Sequence, residues 1–578
     1  MGFVGRFLRG IWLFLKAGVF VIGLLVVAGI VATLTLAPWE QADEELPDSA
    51  LLDIAIVGDL PEKPSSGDFA RFVRGDAMTL TRLVRVLDRA AQDSRIRALD
   101  MDLSLANLGQ TDVEALLPAI RRFREAGKPA RVFAESYDLA RYRLASGFDE
   151  IWMSPSGEFA VIGVALEMPY AGELADDLGI SPQIEARRDY KTAADFIRRR
   201  EMQGPVRAAF AELVADVHRS ALNDIAAGRG LDTEQVRVLV AEALLNPAAA
   251  LAGGLVDRAD YARVFHRAGA ASDGGQIDFA TYLPELAHPL DAGAPKVALI
   301  TATGQIMGGE GGGFSGGVIT DGQLIEELQA AADQPEIDAI LIRIDSPGGA
   351  YGASDAIRAV MREIDKPIVA SMGNVAGSGG YLIAIGADAI VAHPSTITGS
   401  IGVISGKVVV ADLLEDYGVR FEIVRSDRNA AMFSPFAPFT ADQQDRLARR
   451  VDEIYATFKD LVGEARKLPE VQVEAAAQGR IWTGSQAFGR KLVDATGGLE
   501  TALGIIRQRL GVAAEREVHL VEFPGGSPQD RFLEAVQEGF GDFAAVATGK
   551  PEISVEKLRE YLAAEAGTRL MTPDVSLR

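Results

Sequence analysis

Ser378 stands in the run Asn374-Val375-Ala376-Gly377-Ser378-Gly379-Gly380-Tyr381, flanked by glycines and followed by a helical pattern. A serine so placed is presented as a nucleophile must be, and the next backbone N–H, that of Gly379, can share a developing oxyanion. Asp345-Ser346-Pro347-Gly348-Gly349 directly follows a strand pattern. Backbone without Cβ atoms at a strand end can aim N–H groups outward, so Gly349, with Gly348 beside it, is a second candidate oxyanion donor. Either run alone is more often an ordinary tight turn.

A serine nucleophile needs a base. The chain has five histidines and no cysteine; His393 lies between a strand pattern and Pro394, and His218, His266, His288 and His519 stand outside any motif. The absence of cysteine excludes a thiolate nucleophile, a thiolate metal site and a disulfide framework. Arginine outnumbers lysine 46 to 12, and a guanidinium keeps its proton in a protein. A buried lysine can lose one.

The elements that must position these groups form an internal repeat. Leu80–Leu103 matches Gly322–Ile344 at an offset of 241, the run from Tyr142 matches the run from Tyr381 at 239, and the run from Gly254 matches that from Lys491 at 237. Nearly constant offsets indicate two copies of one domain. In the second copy, short β-branched runs (KVALITATG, DAILIRID, KPIVASMG, DAIVAHP) alternate with helical spacing at Leu324, Ile325, Leu328 and Ala332 and in SDAIRAVMREID. This alternation predicts α/β copies with largely parallel sheets.

The copies differ where the chemistry is. Leu139 falls opposite Ser378, and Ser104 to Leu108 fall opposite the Gly348–Gly349 loop. Lys128 and Lys366 are repeat partners in GKP and DKP and read as structural turn residues. Lys191 has Asn429 or Ala430 opposite, so one copy keeps the serine and the other keeps a lysine. Lys407 is the rival base.

In combination, SPGG, AGSGGY, PSTITGSIGV, DYKTAADF and GRIWTGSQAF…LVD resemble bacterial signal peptide peptidase A in its long, two-domain form. The resemblance covers about residues 50–510. It implies two tandem crotonase/Clp-protease-like domains and a serine endopeptidase with no cofactor or metal. Its Ser/Lys dyad would be Ser378 and Lys191, with Ser400 holding the lysine and Gly348, Gly349 and Gly379 at the oxyanion hole. It also implies signal peptides as substrates and a homotetramer. Envelope proteolysis of misfolded or membrane proteins and a non-catalytic scaffold are the alternatives. The crotonase relationship could mean acyl-CoA chemistry, but that would require neither Ser378 nor Lys191. Gly377, where the family usually has Ala, and Asn374, often Gly, depart from its pattern.

The 578 residues carry a net charge of −23, which argues against a nucleic-acid partner. Ala17–Ala37 contains no charged residue, long enough at 1.5 Å per residue to cross a bilayer core of about 30 Å. Arg6, Arg9 and Lys16 precede it and five acidic residues follow within Glu40–Asp48, so the N-terminus is expected in the cytoplasm with the body outside, and the resemblance implies that the membrane is a bacterial inner membrane. The expected organisation is a cytoplasmic segment 1–16, an anchor 17–37, a first copy 50–267, a linker 268–295, a second copy 296–510 and a tail 511–578. Gly308–Gly317 lacks the Lys-Ser/Thr of a phosphate loop and reads as a loop beside the active site.

Overall fold

The computed structural model describes residues 46–64, 77–270, 274–309, 317–523 and, for backbone alone, 569–571. The chain divides into two compact units, Met1–Asp48 and Ser49–Arg578, and the repeat lies wholly within the second. The apolar run Ala17–Ala37 lies outside the described residues; among those described, no helix is long and apolar enough to cross a membrane.

The first copy supplies strands β1 (Ala50–Gly58), β2 (Ile96–Ala106), β3 (Ala130–Ala134), β4 (Glu150–Met153), β5 (Ser181–Arg187), β6 (Arg258–Ala259) and β7 (Gly275–Asp278). All but β5 form one parallel sheet in the order β6-β4-β3-β2-β1-β7. Helix Leu80–Gln92 opens on Thr79, whose hydroxyl accepts from the Arg82 N–H, and buries Leu80, Leu83, Val84 and Leu87, one stripe at helical spacing. The 268–295 stretch, expected as a linker, instead supplies β7, paired along β1 from Ala50↔Gly275 to Asp53↔Asp278. Only Ile277 of β7 is buried, and one apolar residue gives no period for a sequence to reveal.

The second copy supplies β8 (Lys296–Thr303), β9 (Gln305–Met307), β10 (Val318–Thr320), β11 (Ala339–Ser346), β12 (Gly348–Ala350), β13 (Ile368–Gly377), β14 (Ala389–Ala392), β15 (Ile397–Gly399), β16 (Val403–Val409), β17 (Ile481–Thr483), β18 (Ala495–Thr496) and β19 (His519–Phe523); β20 is Arg569–Met571. Its main sheet runs β17-β15-β13-β11-β8-β19, with β14 and β18 branching from β13. Ile340, Ile342 and Ile344 of β11 enter one apolar cluster and Leu341 the opposite one. Both faces are therefore covered, which is why its strands read as continuous apolar runs. The expected tail 511–578 begins with β19, a further strand of this sheet along β8.

The repeat extends to matching hydrogen bonds. Lys128 Nζ donates to the carbonyls of Ala90 and Asp93, and Lys366 Nζ to those of Ala331 and Gln334. Tyr142 and Tyr381 donate to the Leu255 and Leu492 carbonyls. Helices Gly204–Arg229 and Ala441–Arg466 have 26 residues each.

A third sheet joins the copies, in the order β10-β9-β12-β20-β16-β5. Its decisive pairing is antiparallel, from Val403↔Arg187 to Val409↔Ser181. Buried polar contacts reinforce the seam: Arg343 donates to Glu62 at 2.6 Å, and Glu114 accepts from the Ser395 N–H and hydroxyl at 2.8 and 2.7 Å. Buried ion pairs are costly to break by removing one partner, about 3–5 kcal/mol, so these contacts fix how the copies meet.

Candidate active site

Strand register brings two serines together. β13 pairs in parallel with β15, Gly377 opposite Gly399, so the next residues, Ser378 and Ser400, emerge side by side. The Ser378 N–H donates to the Gly399 carbonyl at 2.8 Å. Ser378 opens helix Gly379–Ala384 at φ +56°, and Ser400 sits at φ +51°. Positive φ at a non-glycine residue costs of order 1–3 kcal/mol and persists only where the surroundings impose it. On the other side of β13, Ser346 at the end of β11 lies opposite Ala376, which sets the Gly348–Gly349 loop against the Ser378 turn.

The third sheet delivers the lysine. Arg187 lies opposite Val403 in the antiparallel β5–β16 ladder. Four residues on from Arg187 is Lys191, and three residues back from Val403 is Ser400, so the two are carried toward each other. The Arg188 and Tyr190 N–H groups donate to the Gln478 carbonyl, holding the segment against the second copy.

Lys191 Nζ lies 2.6 Å from Ser378 Oγ, 2.9 Å from the Ser400 carbonyl oxygen and 3.0 Å from Ser400 Oγ. The three residues are buried, Lys191 being 2% exposed. Burial alone drives the Lys191 pKa well below its ordinary value. The neighbouring Arg187 pairs with Asp452 and Glu185, and Arg188 with Glu474. A neutral amine has two N–H donors and one lone pair. Donation of both hydrogens to Ser400 leaves the lone pair for the Ser378 O–H, an arrangement that can draw the proton from that hydroxyl.

The three glycines are not equivalent. The Gly348 N–H donates to Ser346 Oγ at 3.1 Å, so it is held within its own loop. A Cβ on Gly379 would stand 3.0 Å from the Gly349 nitrogen, which puts the Gly349 and Gly379 backbones next to each other. A Cβ on Gly349 would meet the Ile306 carbonyl oxygen at 1.9 Å, so this glycine is demanded by packing against β9 as well as by any donor role. Asp345, at the base of the loop, accepts from the Val375 N–H, and burial, with the Glu62 carboxylate nearby, pushes its carboxyl up to about 6.

Sequence reasoning missed Gly479. At φ +77°, a Cβ there would stand 2.6 Å from both the Lys191 nitrogen and Lys191 Cβ, so the lysine backbone can approach only a glycine. Its signal lies in a contact with a residue of the other copy, which no local pattern carries. Gly479→Ala should displace Lys191 and lower kcat/KM by about 100-fold or more, the scale of a misplacement near 1 Å. Gly489→Ala, facing open space, should leave kcat/KM unchanged; peptide hydrolysis assays on the two variants check this.

The rival bases are engaged elsewhere. Lys407 Nζ donates to the Met432 and Ala437 carbonyls at 2.8 and 2.6 Å and lies 4.1 Å from the centre of the Phe439 ring. Burial lowers its pKa to about 8. His393 is buried beside Arg343, with its pKa well below the usual range from desolvation and from the Arg343 and Arg143 charges. His266 faces Asp53 and Asp102.

Comparison with known proteins places this geometry in context. The model of peptidase family S49 matches residues 122–268 and 361–513, one segment in each copy. Protease 4 of Salmonella typhi is 30% identical over 512 residues, covering 83% of this chain and 81% of its own. The chloroplastic serine protease SPPA of Arabidopsis thaliana is 28% identical over 501 residues, covering 84% and 72%. A candidate signal peptide peptidase SppA of Enterococcus faecium is 31% identical over 217 residues, covering 37% and 63%.

Proposed function

Since the chain belongs to peptidase family S49 and is a serine protease of the two-copy type, we propose that it cleaves short apolar peptides, signal peptides among them, through a dyad of Ser378 and Lys191. The observation that carries this reading is the buried 2.6 Å approach of Lys191 Nζ to Ser378 Oγ. Ser378 Oγ attacks the substrate carbonyl carbon while Lys191 Nζ takes its proton. The Gly349 and Gly379 N–H groups receive the oxyanion, each worth about 3 kcal/mol in comparable sites. Lys191 then protonates the departing amine as the C–N bond breaks; the same lysine next takes a proton from water as its oxygen attacks the acyl carbon, and returns that proton to Ser378 Oγ as the acyl–oxygen bond breaks. Ser400 orients the amine throughout without adding charge.

The signal-peptide reading draws on the name borne by the Enterococcus relative. Its test is mass spectrometry of digests of synthetic signal peptides, a folded protein and an unfolded one. Fragmentation of the peptides with the folded protein intact is expected. Cleavage of unfolded protein alone would favour envelope quality control, and no cleavage at all a scaffold.

The same proposal includes an N-terminal anchor at Ala17–Ala37 in a bacterial inner membrane, crotonase/Clp-protease-like copies outside the cytoplasm, and a homo-oligomer, a tetramer by family resemblance. Repeat symmetry supports self-association. The equivalents of β5 and β16, about residues 420–426 and 164–170, are not strands in this chain, and Phe421 and Val424 are exposed. Pairing 420–426 of one chain with 164–170 of the next would repeat the β5–β16 ladder head to tail.

A further inference from the structure

β13 changes partner in mid-strand, and the change is what brings the two serines together. Val369–Met372 pair with Ala389–Ala392 of β14, whereas Val375–Gly377 pair with Ile397–Gly399 of β15. Between these runs the register against β11 slips, from Ile344↔Met372 to Ser346↔Ala376, so that two steps along β11 are matched by four along β13. The extra residues make a bulge at Gly373–Val375, and a bulge re-aims the strand beyond it. Beyond it here lie Gly377, opposite Gly399, and then Ser378.

Asp345 fastens this bulge. Its Oδ1 accepts from the Val375 N–H at 2.9 Å, the Asn374 side chain also hydrogen-bonds to its carboxylate, and its carbonyl accepts from the Gly304 N–H at 2.9 Å. A Cβ on Gly373 would stand 2.9 Å from Asp345 Cβ and 3.2 Å from Glu62 Oε1, so the bulge is closed tightly over the group. From the first copy, Thr111 in helix Gln110–Glu125 donates to Asn374 Oδ1.

A carboxylate is an expensive choice at this position. Glu62, from the loop after β1, and Asp112, from the same helix as Thr111, bring two more buried carboxylates to it across the seam. The cation among them is Arg343, which donates to Glu62, to Ser371 Oγ and to the Met372 carbonyl, with His393 beside it. Burial and the Glu62 charge push the Asp345 carboxyl up to about 6, and burial, with Glu62 and Asp345, pushes Asp112 up to about 7. A neutral side chain would burden the fold less, so what the carboxylate supplies is a pair of acceptor oxygens inside the bulge.

We propose that Asp345 is a positioning residue for the nucleophile: its carboxylate fixes the bulge of β13, and the bulge sets Ser378 against Lys191 and the Gly349 N–H. This rests on the serine protease reading. Thr111 extends the same grip from the other side, so the first copy clamps the serine strand as well as supplying the base.

Asp345→Ala leaves the Val375 N–H without its acceptor and should lower kcat about 100-fold at unchanged KM, the scale of a misplacement near 1 Å. Asp345→Asn keeps one acceptor oxygen and should recover about tenfold of that loss. Thr111→Val, close in shape but unable to bond Asn374, should lower kcat about tenfold at unchanged KM, and it tests the clamp even if the Ala variant does not fold. The melting temperature should move against activity in the Asn variant. Asp345 titrates at about 6 in the fold and at about 3.9 in the unfolded chain. Its charge therefore lowers stability as pH rises through that interval, and the loss persists above it. Asp345→Asn should accordingly melt higher than the parent at about pH 8 and gain less at about pH 5, whereas a residue that only held the fold together would lose activity and melting temperature in step.

Steady-state kinetics and melting curves of the three variants provide the test. Parent kcat in Asp345→Ala or Thr111→Val, a loss carried by KM, an Asn variant no faster than the Ala variant, or one that melts below the parent at about pH 8 would each overturn the inference and leave the dyad standing. If the unaltered chain hydrolysed no peptide, the protease reading itself would fail, and the inference with it.

Discussion

Ser378→Ala should lower peptide hydrolysis by about 10⁴-fold or more while the fold persists, since removal of a serine nucleophile leaves only the rate that binding and the oxyanion donors supply. The substitution removes one buried hydroxyl from a turn fixed by the Gly399 carbonyl and by the β13–β15 register, and alanine leaves that backbone pairing in place. Circular dichroism and thermal melts should match the parent. Steady-state assays with a fluorogenic apolar peptide provide the measurement, and residual activity above a few per cent would remove Ser378 from the nucleophile's role.

Lys191→Arg should be as inactive as Lys191→Ala, a loss of about 10³-fold or more, because a guanidinium keeps its charge in a protein and cannot take the serine proton. The pH dependence follows from the same burial. An unfolded lysine titrates near 10.4, and the folded Lys191 titrates well below its ordinary value. Above the unfolded value neither state holds the proton and the site is at no disadvantage. As pH falls toward the folded value, the unfolded chain binds a proton that the folded chain must shed, and stability is lost. Lys191→Met, which fills similar space without a charge, should therefore raise the melting temperature at pH 7 while abolishing activity. In the parent, kcat/KM should fall on the acid side as Lys191 becomes protonated.

Much of this was legible because the chain repeats itself. Aligning the copies shows a serine and glycines on one side and a lysine on the other, and a residue present in only one copy serves something other than the shared scaffold. The strands of the second copy were legible as apolar runs because both faces of their sheet are buried. What the sequence hid were relations between distant segments. The β5–β16 ladder joins residues more than 200 positions apart, and neither strand has a marked alternation. Gly479 matters only through Lys191, and the Gly348 N–H is held by Ser346, a neighbour whose serine gave no sign of accepting it. β7 and β19 are edge strands with few buried residues, so their stretches read as linker and tail.

The central claim is that a lysine from one copy activates a serine from the other. Single-turnover acylation by an activated peptide ester, quenched in acid and mapped by mass spectrometry, tests it most directly. The acyl group should be found on Ser378, and in Lys191→Met it should form there about 10³-fold more slowly or worse. An acyl group on any other residue, or acylation of Ser378 in Lys191→Met at the parent rate, would contradict the account.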